Sequence, residues 1–325
     1  MLQQTTVEAV RCRYDGFLRE FPDVASLARA REDAVLAAWS GLGYYARARN
    51  LRNAAREIVR RHGGVLPADP AALRALPGFG DYMSAAVASI AFGRREPAAD
   101  ANVTRVVSRL FALSGRAGTA RHRAAVLARV SEILPSGRPG ETTAALMDLG
   151  QAICAPRRPA CVRCPVAGEC AGRRSGRPEA YPRRRRKPRA VRVALAAAVF
   201  ERRGRALLLR RPVGFLSGMW EFPCGPTRPG SARAARARLS RILAPYGLAR
   251  QREAAARVRH TVVNRRLEIE VFRARGSPRR PAGAPPMRWF TPGDLERAAI
   301  PTLTRKIARS VGFLPAANRR KLESS

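Results

Sequence analysis

Lysine is nearly absent from a chain that is otherwise strongly basic. Only Lys187, Lys306 and Lys321 occur. Chemistry that forms a Schiff base on a lysine amine is therefore excluded from everything upstream of Lys187. Apolar runs long enough to cross a bilayer, about 18 residues, are also missing. No signal-peptide pattern opens the chain, and no basic helix carries a strong apolar face. These absences predict a soluble intracellular protein with no membrane partner. Six cysteines in such a chain do not make a disulfide framework. Acidic residues are scarce as well, 24 against 62 basic ones, which gives a formal charge of +38.

That field suits a polyanion, since neutralising phosphates releases their counterions. Part of the arginine excess follows composition, because the chain is rich in alanine too. Its 325 residues predict two domains, each large enough for a core. Apolar residues Val7, Val10, Tyr14, Phe17, Leu18 and Phe21 recur at helical spacing, so residues 6–21 read as an amphipathic helix. Helical segments continue through residues 24–30, 32–40, 46–62, 70–75, 81–92, 103–113, 122–134 and 141–153. No strand is expected before about residue 190, and the first part is all-α. Residues 171–190 are dense in arginine and proline, which is linker composition. Residues 193–200, 206–209, 220–222 and 267–273 then read as strands, with a basic helix over 231–244. The second part is α+β.

Three features carry chemistry. Leu76-Pro77-Gly78-Phe79-Gly80 joins two helices, and its glycines allow a tight turn that presents backbone N–H groups at the start of the second helix. An anion such as a phosphate suits that position, although the same turn serves many plain helix hairpins. One helix further on, Asp100 and Asn102 open the apolar run to Leu113. Asp100 reads as an N-cap on local grounds. Cys154, Cys161, Cys164 and Cys170 lie close enough in sequence to share one metal centre. Their spacing shows one Cys-x-x-Cys clip rather than two, favouring a [4Fe–4S] cluster over zinc. Cys12 and Cys224 read as buried free thiols, His122 as exposed, and Trp289–Phe290 as core.

Together these features resemble the helix-hairpin-helix DNA glycosylases with an iron–sulfur cluster. Met1-Leu2-Gln3-Gln4-Thr5, Gly41-Leu42-Gly43-Tyr44-Tyr45-Ala46-Arg47-Ala48-Arg49-Asn50 and Met147-Asp148-Leu149-Gly150 narrow the likeness to the adenine DNA glycosylases, the MutY family. Residues 208–223 and Arg259-His260-Thr261 resemble that family's Nudix-like domain. The resemblance implies a glycosylase domain over 1–170 with its cluster loop at 154–170, a basic linker over 171–190, and a Nudix-like α+β domain over 191–325. It implies a monomer that binds double-stranded DNA and excises adenine mispaired with 8-oxoguanine or guanine, without lyase activity. The target nucleotide must leave the stack. Asp100 would stay ionised and stabilise positive charge on the sugar, with Asn102 orienting either Asp100 or the water nucleophile. Tyr82 stands where a related lyase carries its lysine. Gln3, Gln4, Thr5, Leu42, Tyr44, Arg47, Gly78, Gly80 and His260 would contact DNA. Of Tyr44 and Tyr45, one should be buried and one exposed. Cys154, Cys161, Cys164 and Cys170 would hold a structural cluster that pins Arg157, Arg158 and Arg163 against phosphate.

The chain also departs from the family pattern. The family's proton-donating glutamate lies just upstream of the first motif, and the chain begins at Met1 of that motif. The expectation is an N-terminally truncated gene model, the alternative a DNA-binding protein impaired in catalysis. Ala144 stands where a Glu or Gln lines the adenine pocket, and Ala101 where a glycine separates Asp100 from Asn102. Val262-Val263-Asn264 replaces the Phe-Ser-His that reads 8-oxoguanine. Finally, residues 225–250 contain no Asp or Glu. Nudix hydrolysis, which needs clustered carboxylates for Mg²⁺, is excluded there, leaving a recognition module.

Overall fold

The computed structural model describes residues 1–3, 5, 7–183, 189–212, 216–225 and 231–316. The chain forms two compact units, residues 57–187 and residues 1–56 with 188–325. Its helices are α1 (Val7–Glu20), α2 (Val24–Arg29), α3 (Glu32–Ala38), α4 (Ala46–His62), α5 (Pro70–Arg74), α6 (Asp81–Phe92), α7 (Ala101–Leu110), α8 (Ala120–Ile133), α9 (Pro139–Ala152), α10 (Ala171–Arg174), α11 (Ala232–Leu243), α12 (Pro292–Arg297) and α13 (Thr302–Ser310). Strands are β1 (Val191–Val199), β2 (Glu201–Arg202), β3 (Arg205–Arg210), β4 (Trp220–Glu221), β5 (Leu248–Arg250), β6 (Ala256–Val262), β7 (Arg265–Gly276) and β8 (Met287–Phe290). Among the described residues no strand precedes Val191, as the helical periodicity requires.

The 57–187 unit is helical. Val103, Val106 and Val107 of α7 pack with Val126 and Val130 of α8, Leu134 and Leu146. Burying those side chains contributes about 1.5–3 kcal/mol each. Asp69, Asp100 and Thr119 cap α5, α7 and α8 by accepting from backbone amides. Residues 171–183 have linker composition, yet they fold onto this unit. Arg109 Nε donates to Tyr181 O at 3.3 Å, and Arg183 N to Gly115 O at 3.1 Å. The basic run 184–188 lies outside the described residues.

His122 is buried at 3 % exposure, against the expectation of an exposed side chain. Its Nε2 lies 3.0 Å from Ser108 Oγ, which itself donates to Thr104 O at 2.5 Å. With the serine proton committed, Nε2 is the donor. Burial holds the His122 pKa below 6.5. The stabilisation is complete above the unfolded value and is lost as pH falls through the depressed folded one, because the unfolded chain takes up the proton first. Thermal unfolding midpoints should therefore fall between about pH 7.5 and about pH 5. His122→Gln should shrink that fall, which calorimetry at the two pH values measures.

In the other unit, β7 is the spine of a sheet. It pairs parallel with β1, Val193 opposite Leu267, and antiparallel with β6 and β5 along its other edge. A second sheet is ordered β2–β3–β4, with β8 also on β3. Both faces of β1 are covered. Leu195, Ala197 and Val199 share a core with Ile269, Phe290 and Ile307, while Ala196 and Ala198 meet Leu239 and Leu243 of α11. Phe290 is core against Trp220, while the half-buried Trp289 packs on the other cluster, against Phe200, so both serve the interior as expected.

Residues 1–56 pack in the same unit. Phe17, Val35, Leu36, Trp39, Leu42 and Tyr45 share a core with Met219 and Ala299. Only Val10 and Phe17 of α1 are buried. Cys12 points outward and is exposed, correcting the expectation of a buried thiol. Cys224 is half-buried, and burial pushes its thiol up to about 12.

Candidate active site

In the 57–187 unit, the turn between α5 and α6 needs glycine at Gly78, whose φ is +84°. Gly80 is the N-cap of α6 and offers no side chain to it. The first N–H groups of that helix have no intrahelical acceptor. Asp81, in the first turn, is neutralised by Arg123 at 2.6 Å and Arg74 at 3.3 Å. A helix start with free amides and a masked carboxylate is suited to an anion.

Asp100 does cap α7, and it does more. Its Oδ1 accepts from Val103 N at 2.7 Å, and its Oδ2 accepts from Asn102 Nδ2 at 3.2 Å. Asn102 is oriented from behind, since its Oδ1 accepts from Arg105 Nη2 at 2.8 Å. The amide nitrogen is therefore turned toward the carboxylate. Arg105 also donates to Gly150 O and Cys154 O, both at 2.7 Å. A Cβ at Gly150 would stand 2.6 Å from Asn102 Cβ, so the helices approach this closely only with glycine there. Tyr82 belongs to the same group. Burial pushes its phenol up, and the negative charge of Asp100 adds to the shift. Its Oη donates to Met147 Sδ at 3.8 Å.

Cys154, Cys161, Cys164 and Cys170 line one cavity. Burial raises the Cys161 thiol, and Cys154, Cys170 and Cys164 raise it further. Among the described residues no group of three or more side chains is arranged to hold a single metal ion. Zinc would need its sulfurs about 2.3 Å from one centre. A four-iron cluster takes one thiolate per iron, and four cysteines on one cavity are that donor set. Arg109, 3 % exposed, braces the cavity. It donates to Cys154 Sγ at 3.2 Å, Ala155 O at 2.7 Å and Pro156 O at 3.2 Å. Neither Arg105 nor Arg109 was singled out by motif. Their signal is a four-residue spacing on an apolar helix, with Arg109 on its buried side.

In the other unit, Gly41, Gly43 and Tyr44 all take positive φ, +96°, +67° and +46°. Tyr45 is buried at 4 % exposure and Tyr44 exposed at 41 %, the division expected of the pair. Leu42 is buried, so its side chain serves the core rather than a DNA surface. Arg47 also differs from expectation. Its guanidinium donates to Met1 O, Gln3 O, Leu42 O and Gly43 O, which spends its Nη donors on backbone. It fastens the first motif to the Gly41–Tyr45 turn instead of facing a phosphate. Gln3 and Thr5 are half-buried beside it, and Gln4 lies outside the described residues. His260 is half-buried on β6, its pKa lowered by burial and by Lys306. The β6–β7 turn exposes Val263, a β-branched residue at φ +55°.

Residues 1–132 match the HhH-GPD superfamily of base excision DNA repair proteins, and residues 195–310 match the NUDIX domain. A helical base excision repair protein with a NUDIX-like α+β domain is the class so defined. The mouse adenine DNA glycosylase is 31 % identical over 360 residues, covering 95 % of this chain and 69 % of the mouse protein. The human adenine DNA glycosylase is 30 % identical over 363 residues, covering 95 % and 66 %. Among solved structures, a thermostable thymine-DNA glycosylase aligns over 54 % of this chain and 80 % of its own, with 29 % identity and a TM-score of 0.47. The chain belongs to the adenine DNA glycosylase family, a family of DNA N-glycosylases. It spans about two thirds of the length of these mammalian relatives.

Proposed function

We propose that this chain is a monofunctional glycosylase, acting as a monomer on double-stranded DNA to hydrolyse the bond to adenine mispaired with 8-oxoguanine or guanine. The observation that carries the reading is Asp100, held by Asn102 and Val103 in the unit that also presents the α6 amides. Gly78 and Gly80 then let those amides hold a phosphate near an extruded nucleotide. The Asp100 carboxylate faces the sugar and stabilises the cationic charge that develops as the glycosidic bond breaks. Asn102 keeps one carboxylate oxygen fixed. Tyr82, held protonated by burial, lines the same place without supplying an amine nucleophile. No lysine precedes Lys187, which supports hydrolysis without a lyase step.

Gln3, Gln4, Thr5 and Tyr44 meet the duplex in this reading, with His260 reaching it from β6. Cys154, Cys161, Cys164 and Cys170 hold a [4Fe–4S] cluster, which supplies a structural anchor and no bond-breaking chemistry. Catalysis belongs to residues 1–170 and lesion recognition to residues 191–325. A basic charge of this size supports a nucleic-acid partner, which the reading puts in the cytoplasm.

Single-turnover assays with enzyme in excess test the reading. Release of adenine opposite 8-oxoguanine, with no strand cleavage beyond the abasic product, is the expected result. Tight duplex binding without any release would favour a DNA-binding protein of the same fold.

A further inference from the structure

The NUDIX-like domain does more in this chain than carry its own surface. Residues 216–219 enter the core formed by residues 1–56. Met219 is fully buried and Ala299 nearly so, both in the core that holds Leu36, Trp39, Leu42 and Tyr45. Polar contacts surround that plug. Arg210 Nη2 donates to Asp33 Oδ1 at 2.6 Å and Arg49 Nη1 to Ser217 O at 2.6 Å. Tyr45 Oη donates to Ile300 O at 3.4 Å, and Arg305 Nη2 to Ser40 Oγ at 3.0 Å. Gly218 is at φ +80°, and a Cβ there would stand 2.7 Å from Glu32 Oε1. Glu32 could swing aside, so it is the positive φ that calls for glycine in this segment.

The same core supports the Gly41–Tyr45 turn. Trp39 Nε1 donates to Gly43 O at 3.1 Å, and the Arg47 guanidinium lies 5.2 Å from the Trp39 ring and 5.8 Å from the Tyr44 ring. Tyr44 sits in the left-handed region, a conformation that costs a non-glycine residue and persists only when its surroundings impose it. Those surroundings include the side chains of Arg210, Leu216, Met219, Ala299 and Arg305.

We propose that the second domain positions the exposed Tyr44, with Met219 and the Asp33–Arg210 pair as positioning residues. Tyr44 as a wedge against DNA bases rests on the functional reading above. The positioning itself does not. Met219→Ala removes the plug and should let the turn relax, while Met219→Leu refills the space. The paired exchange Asp33→Arg with Arg210→Asp is a second route. Either single change breaks the contact, and the double change remakes it.

Hydrogen exchange on the full-length DNA-free protein reads the positioning directly. Amides of residues 42–45 should exchange about tenfold faster in Met219→Ala and in Asp33→Arg, and return toward wild type in Met219→Leu and the double exchange. Amides of α7 and α8 serve as the internal control and should not change. A second arm uses 2-aminopurine in place of the target adenine opposite 8-oxoguanine. The variants that loosen the turn should lose most of the fluorescence rise on binding. Unchanged exchange at residues 42–45 in both loosened variants would overturn the proposal. Faster exchange with no fluorescence response even from wild type would leave the positioning standing and count against the glycosylase reading.

Discussion

Replacing Asp100 by Asn is expected to slow adenine release by about 10³-fold, in the range that loss of a charge-stabilising group costs an active site. The choice of asparagine matters. Asp and Asn are about equally good N-caps, so Val103 N keeps its acceptor and α7 keeps its start. What disappears is the negative charge that the proposed mechanism sets beside the sugar. Calorimetric stability should change by less than about 0.5 kcal/mol, and affinity for duplex should stay within a few-fold. Asp100→Ala separates the two roles from the other side. It should lose release to the same extent and also cost about 1 kcal/mol of stability through the missing cap. If Asp100 were only a cap, Asp100→Asn would be silent in the release assay.

The second large effect is expected at the cysteines. The segment from Ile153 to Arg183 carries one short helix, α10, and two single-turn 3₁₀ segments. It is held by carbonyl bonds to Arg105 and Arg109 rather than by an apolar core. Purified chain should contain about four iron and four sulfide per molecule and little zinc. Cys164→Ser should lose most of that iron and lower the unfolding midpoint by on the order of 10 °C, because binding energy at such a site is folding energy. Cys12→Ser, on the exposed side of α1, should do neither. One zinc per chain and no iron would replace the cluster with a structural zinc site.

Much of this was legible in the chain, and the rest failed for physical reasons. Helix periodicity and the cap at Asp100 are local, so α1 to α9 read close to their observed limits. The division between Tyr44 and Tyr45 was legible too, since one of two adjacent tyrosines must leave the core. His122 was misread because its burial depends on Ser108 and on Gly115, where a Cβ would overlap its ring. Arg47, Arg105 and Arg109 illustrate the limit of charge as a guide. In a chain this rich in arginine, a buried guanidinium that braces carbonyls looks the same as one that binds phosphate. Strand β6, with arginine at alternate positions, hid its pairing with β7 behind the same charge.

Binding of a duplex that mimics the charged sugar bears most directly on Asp100. Two duplexes would be compared, each with 8-oxoguanine opposite the variable site. One carries a cationic pyrrolidine abasic analogue, the other its neutral tetrahydrofuran counterpart. A carboxylate facing the sugar should bind the cationic duplex more tightly by about tenfold or more, and Asp100→Asn should erase that preference while binding the neutral duplex as before. Equal affinity for the two duplexes in the wild-type chain would mean that Asp100 does not face the reacting carbon, and the glycosylase site would have to lie elsewhere.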